Sequence, residues 1–214
     1  MQIKTIFNQF LSWRDSHIKE RHFLLFVSFL VGITTALAAW LLKSSIHFFQ
    51  VFLTENFSRE NLNFSYLLFP IVGILIAGLY VKYVVKDDIS HGVTKILFSI
   101  SQRKSRIKPH NIYTSLAASS FTIGFGGSVG AEAPIVLTGS AIGSNLGRLF
   151  RLEQHSLMIL LGCGAAGAIA GIFKAPIAGI LFVIEVLLLD LTMSSILPLL
   201  VTAVTATTVY YLLN

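Results

Sequence analysis

Apolar residues run along this chain in long blocks broken at a few sharply polar points. The first block, Phe23–Leu42, contains no charged residue. At 1.5 Å per residue it covers roughly 30 Å of hydrocarbon, which predicts a first spanning helix. Polar residues follow from Lys43 to Ser65, with Lys43 and Arg59 balanced by Glu55 and Glu60, and read as an exterior loop. A second span is predicted over Tyr66–Val85. The stretch KDDISHGVTKILFSISQRKSR then holds only one apolar patch, Val93–Ile100, too short to cross. Ile112–Phe125 is apolar but ends in a glycine cluster, and Ala133–Phe150 resumes as a helix. Further helices are predicted over Ser156–Phe173, Pro176–Leu191 and Ser195–Leu213. The pattern is that of an all-α membrane protein with discontinuous or re-entrant segments. Such breaks are tolerated at membrane depth only where protein or a water-filled cavity surrounds them.

Composition agrees. Charged residues make up 12% of the 214 positions, against about 25% in soluble domains. The net charge of +6 does not point to nucleic acid, because the basic residues cluster in short connections. Lys4, Arg14, Lys19 and Arg21 precede the first span, and Lys95, Arg103, Lys104, Arg106 and Lys108 lie between later apolar blocks. By the positive-inside rule both regions, and the N-terminus with them, are cytoplasmic. Residues 1–22 read as an amphipathic segment on the inner surface, and residues 23–214 as the transmembrane region. The single cysteine, Cys163, excludes an internal disulfide or thiolate metal site.

The candidate chemistry gathers at GFGGSVGAEAPIVLTG, residues 124–139. Pro134 is favoured in the first turn of a helix, so a helix beginning at Glu132 would aim unpaired N–H groups into the glycine loop. Such a helix start carries about half a positive charge and suits an anion. The Glu132 carboxylate could compete for those amides as a tethered anion, or cap them permanently; local sequence leaves both open. A second break, SHGVTKIL at 90–97, offers Ser90, His91 and Gly92 before another short helix. In GIFKAPIAGILFVIEV, Lys174 reads as a snorkelling interfacial residue and Glu185 as a structural polar group. Gly139, Gly143 and Gly147, and again Gly164, Gly167 and Gly171, are spaced for close helix contact. No metal-ligand spacing and no phosphate-binding loop occurs, so neither a metal cofactor nor nucleotide-driven pumping is implied. A hydrolase using Ser128 or His91 is disfavoured, because no serine–histidine pairing is evident.

Three segments together resemble the CLC family of chloride channels and chloride/proton exchangers. GSVGAEAP is similar to that family's G-K/R-E-G-P region, SHGVTKI to G-S/H-G-I/V-P, and AGIFKAPIAGILFVIEVLL to A-x-F-x-A-P-L-A-G-I-L-F-x-I-E. The resemblance covers the chain from about residue 23 onward. It implies a fold of two inverted repeats forming an anion pore in each subunit of a homodimer, in the plasma (inner) membrane. It places Glu132 on the gating glutamate and His91 where many members have the inner anion-coordinating serine. Amides around Gly92, Gly130, Ala131 and Ala133 would supply the remaining donors from this half.

The departures carry information too. Ala131 stands where the family has a basic residue, Ala133 where it has a glycine, and Thr94 where it has a proline. Val186 occupies the position at which exchangers carry an internal proton-transfer glutamate; Glu185 is its neighbour. The resemblance therefore implies channel-like transport of chloride or a similar anion without enzymatic chemistry. The alternatives are proton-coupled exchange and a structural half-subunit without transport. Only the first repeat is matched, so the expectation is a piece of a longer protein whose pore needs a second repeat.

Overall fold

The computed structural model describes residues 19–55, 65–87, 92–188 and 192–214, and among these residues it contains helices and no strands. The helices are α1 (Glu20–Glu55), α2 (Ser65–Leu79, continued as a π-helical stretch over Tyr80–Val85), α3 (Gly92–Gln102), α4 (Asn111–Gly124), α5 (Glu132–Leu149), α6 (Gln154–Phe173), α7 (Pro176–Val186) and α8 (Met193–Leu213). Among the described residues four segments are long and apolar enough to cross a membrane: Glu20–Leu53, Leu68–Val85, Gln154–Phe173 and Ser194–Leu213.

Most boundaries fall close to those the apolar pattern predicts, with two corrections. The first part of the polar stretch after Lys43 is not a loop, because α1 continues to Glu55; residues 56–64 lie outside the described residues. Phe49 explains this: its ring lies 5.1 Å from that of Phe121 and 5.8 Å from that of Phe125, so the extension is held by tertiary packing on α4. The helix predicted to reach Leu191 stops at Val186, and residues 189–191 lie outside the described residues. The first helix also starts at Glu20, inside the segment read as amphipathic; residues 1–18 of that segment lie outside the described residues.

α6 is the central element, packed against α1, α5, α7 and α8. Its contact with α5 is backbone on backbone. A side chain at Gly139 would run into the Gly164 carbonyl, one at Gly164 into the Gly139 carbonyl, and one at Gly143 into the Leu160 carbonyl. Glycine at these positions is what allows the two helices to touch. Several buried hydroxyls are satisfied on their own helix: Ser28 donates to the Leu24 carbonyl at 2.7 Å, Thr35 to Val31 at 2.8 Å and Ser119 to Ser115 at 2.7 Å. Leaving a polar group unpaired in so apolar a bundle would be costly. Thr202 reaches further, donating to the carbonyls of both Pro198 and Ser28 at 2.9 Å, and so pins α8 to α1.

α4 and α5 form an antiparallel pair around the glycine loop. α4 has 14 residues and so rises only about 20 Å, short of a full crossing. The break at 125–131 separates it from α5. Its geometry begins at Gly126, whose φ of +85° is a left-handed conformation open to glycine at little cost. The N–H of Gly126 donates to the Ile123 carbonyl at 3.0 Å and that of Gly127 to Thr122 at 2.9 Å, closing α4.

Candidate functional site

Glu132 is the first residue of α5, as the Glu-Ala-Pro sequence predicts. The N–H of Ile135 returns to the Ala131 carbonyl at 3.1 Å, which starts the intrahelical ladder. The N–H groups of Gly130, Ala131, Glu132 and Ala133 have no acceptor among the described residues. Gly130 and Ala133 are exposed and Ala131 is half-buried, so this run of donors is open on one side. Unpaired amides at a helix start, with the helix dipole behind them, make an anion site from backbone alone.

The Glu132 side chain is exposed, and no hydrogen bond or ion pair involves it among the described residues. It folds back over the loop: a side chain at Gly130 would overlap its Oε2. Of the two readings left open by sequence, permanent cap and tethered competitor, the geometry lacks the hydrogen bonds that define a cap. A carboxylate lying over a glycine beside unpaired donors can leave without breaking any contact of that kind.

The second break meets the first. Gly92 opens α3 and is buried against the first turn of α5, where a methyl group would come within 2.8 Å of the Ala133 carbonyl oxygen. Two helix starts separated by some forty residues of sequence are thus in backbone contact. Ser115 supports the junction from α4, donating to the Pro134 carbonyl at 3.3 Å. Gly92, Gly130, Ala131, Glu132 and Ala133 are brought together; Ser90 and His91 lie outside the described residues. Thr94 is exposed on the first turn of α3.

The third sequence segment sits apart from this junction. Lys174 ends α6 in a left-handed conformation with φ of +56°, and Pro176 opens α7 immediately after it. The Lys174 ammonium lies 4.6 Å from the centre of the Tyr211 ring, a cation–π contact suited to an interfacial lysine. Val186 is the last residue of α7 and partly buried, while Glu185 beside it is exposed. Sequence reasoning gave no role to Asp87, yet its carboxylate gathers Lys95, Lys108 and His110 just before the break at Gly92. The only signal was an acidic residue between a span and a basic stretch, which names no partner. Among the described residues there is no group of histidine, cysteine and carboxylate side chains able to hold a metal ion.

A family model described as "Voltage gated chloride channel" matches residues 73–214. The H(+)/Cl(-) exchange transporter ClcA of Vibrio cholerae serotype O1 is 30% identical over 226 aligned residues, covering 99% of this chain and 46% of that protein. ClcA of Vibrio vulnificus is 30% identical over 195 residues, 85% of this chain and 39% of its own. Among solved structures, a CLC-type fluoride/proton antiporter superposes with a TM-score of 0.73 at 28% identity, over 89% of this chain and 47% of the antiporter. A slow cyanobacterial Cl-/H+ antiporter gives a TM-score of 0.76 at 21% identity, over 92% and 48%, a likeness of fold. The chain spans less than half the length of each of these relatives.

Proposed function

The chain belongs to the voltage gated chloride channel (CLC) family, and from that premise we propose that it forms one half of a pore for chloride or a similar small anion, with Glu132 as the gate. The observation that supports this most directly is the run of N–H groups from Gly130 to Ala133, without acceptors among the described residues and overlain by a carboxylate that makes no hydrogen bond or ion pair among them. Such amides can replace part of an anion's water shell, while the carboxylate competes for the same donors. Gly92 brings the start of α3 to the same place, and His91, at the sequence position of the family's inner anion-coordinating serine, would be a further ligand. Transport of this kind forms no covalent bond, and no enzymatic step is needed.

The remaining donors would come from a second inverted repeat, and two such pores would pair as a homodimer. The basic residues around 95–108 support a cytoplasmic inner face, with the N-terminus on the same side of a plasma membrane. Val186 supports uncoupled, channel-like flow, since it cannot relay a proton. A second reading, stoichiometric exchange of chloride for protons, is favoured by the likeness to the ClcA exchange transporters and to the fluoride/proton antiporter.

Anion efflux from liposomes tests the assignment, using this chain alone, this chain with a supplied second repeat, and the full-length protein. Backbone donors select by size and ease of dehydration, so chloride, bromide and nitrate should leave the full-length vesicles while sodium and potassium stay. Cation currents matching those of chloride would refute it.

A further inference from the structure

The end of α2 is built to present one carboxylate. The π-helical stretch closes at Lys86, whose φ of +51° is left-handed and whose N–H donates to the Val81 carbonyl at 2.9 Å. The turn brings in Asp87, and a single oxygen of its carboxylate, Oδ2, faces two ammonium groups and an imidazole nitrogen. Lys108 Nζ and His110 Nε2 each lie at 3.0 Å and Lys95 Nζ at 3.5 Å. These partners come from different places: Lys95 from the first turn of α3, and Lys108 and His110 from the approach to α4. Lys95 also donates to Asn111 Oδ1 at 3.3 Å, and Asn111 is fully buried at the first position of α4.

Residues 88–91 lie between Asp87 and Gly92, so the cluster fixes both sides of the break that carries His91. α3 needs such a tie. It has only 11 residues, and of these Gly92, Ile96 and Ser99 are buried. A helix this short has little stability of its own, so its direction is set by what it touches. One contact, Gly92 on Ala133, fixes where its start sits. The Asp87–Lys95–Asn111 tie fixes how it points. The side chains of Lys95 and Asp87 are 17% and 24% exposed, which screens the pair less than an open surface pair.

We propose that Asp87 is a positioning residue for the anion site: through Lys95 it aims the start of α3, and so its partial positive charge, at the anion. This rests on the transport reading above and names a residue outside the anion's own contacts. A helix start turned off its target loses its attraction for the ion, so the loss appears in anion affinity more than in the rate at saturation. Pure charge predicts the reverse. If Asp87 mattered only as a negative charge near the path, removing it would make the potential around Lys95 and Lys108 more positive and tighten anion binding.

The test uses the full-length protein in liposomes, with chloride flux measured against chloride concentration and bromide binding followed by calorimetry. Asp87→Asn should raise the half-saturating chloride and the bromide Kd together by about three- to tenfold, with maximal flux nearly unchanged. Asp87→Glu, which keeps the carboxylate, should restore most of the affinity. Lys108→Gln, removing one partner of Asp87, should shift affinity in the same direction by less, and serves if Asp87→Asn fails to fold. Tighter binding in Asp87→Asn, or affinities in Asp87→Asn and Lys108→Gln equal to wild type, would overturn the proposal. A wild-type protein that neither binds bromide nor carries chloride would instead overturn the transport reading itself.

Discussion

Gly92 and Ala133 touch through their backbones: a methyl group on Gly92 would stand 2.8 Å from the Ala133 carbonyl oxygen. That oxygen belongs to helix backbone and cannot swing aside as a flexible side chain would. Gly92→Ala should therefore separate the starts of α3 and α5. Overpacking of this kind costs about 1–3 kcal/mol, and at this junction it should also lower anion affinity. Thermal unfolding in detergent and bromide calorimetry on the same sample check both effects. An alanine variant with wild-type affinity would mean that the contact does not shape the site.

Glu132→Gln should leave anion flux high and independent of pH, because the amide is neutral and cannot be displaced by protonation. The companion variant Gly130→Ala tests the resting position of the carboxylate. Its methyl would occupy the space of Glu132 Oε2, so the side chain must move off the loop while keeping its charge. Flux in Gly130→Ala should rise at neutral pH yet keep a pH response. Efflux measured across a pH series separates the two variants. An unaltered profile in Glu132→Gln would reduce Glu132 to a plain structural residue.

How far the sequence reaches can be judged from three places. The start of α5 was legible, because Glu-Ala-Pro after a glycine loop is a local signal and the structure begins the helix at Glu132. The extension of α1 past Lys43 was not, because Lys43 and His47 read as a polar loop while Phe49 is held by the rings of Phe121 and Phe125, seventy residues on. The Asp87 cluster was equally hidden. Residues 87, 95, 108 and 110 converge only once α2, α3 and the approach to α4 are folded together. Helix starts and small-residue stripes are written in neighbouring residues; ionic and aromatic ties between elements are not.

The α5–α6 contact gives a prediction about stability alone. A side chain at Gly164 would strike the Gly139 carbonyl and crowd the Ser140 nitrogen at 3.1 Å. Gly164→Ala must push two central helices apart, at a cost of about 1–3 kcal/mol. For a chain of this size that lowers the melting midpoint by about 2–4 °C per kcal/mol. Gly78→Ala is the control, since nothing lies within 4 Å of a methyl group there. Differential scanning fluorimetry of the two variants decides it, and equal midpoints would show that the backbone contact is dispensable.

Coupling to protons turns on the end of α7. A strictly coupled exchanger needs an ionisable group on the inner route to Glu132, since relays within a membrane are built of such groups. By the sequence resemblance, the position at which the family's exchangers carry that glutamate falls on Val186, partly buried at the last residue of α7. Glu185 is next in sequence, but a helix turns by about 100° per residue, so it faces another way; in this chain it is exposed. Uncoupled flow is the expected outcome, and Val186→Glu should then introduce a proton flux that the wild-type protein lacks. The measurement sets a chloride gradient across liposomes holding the full-length protein and follows internal pH. Uphill proton movement at a fixed ratio to chloride in the wild-type protein would establish exchange instead, and would place the relay on groups other than residue 186.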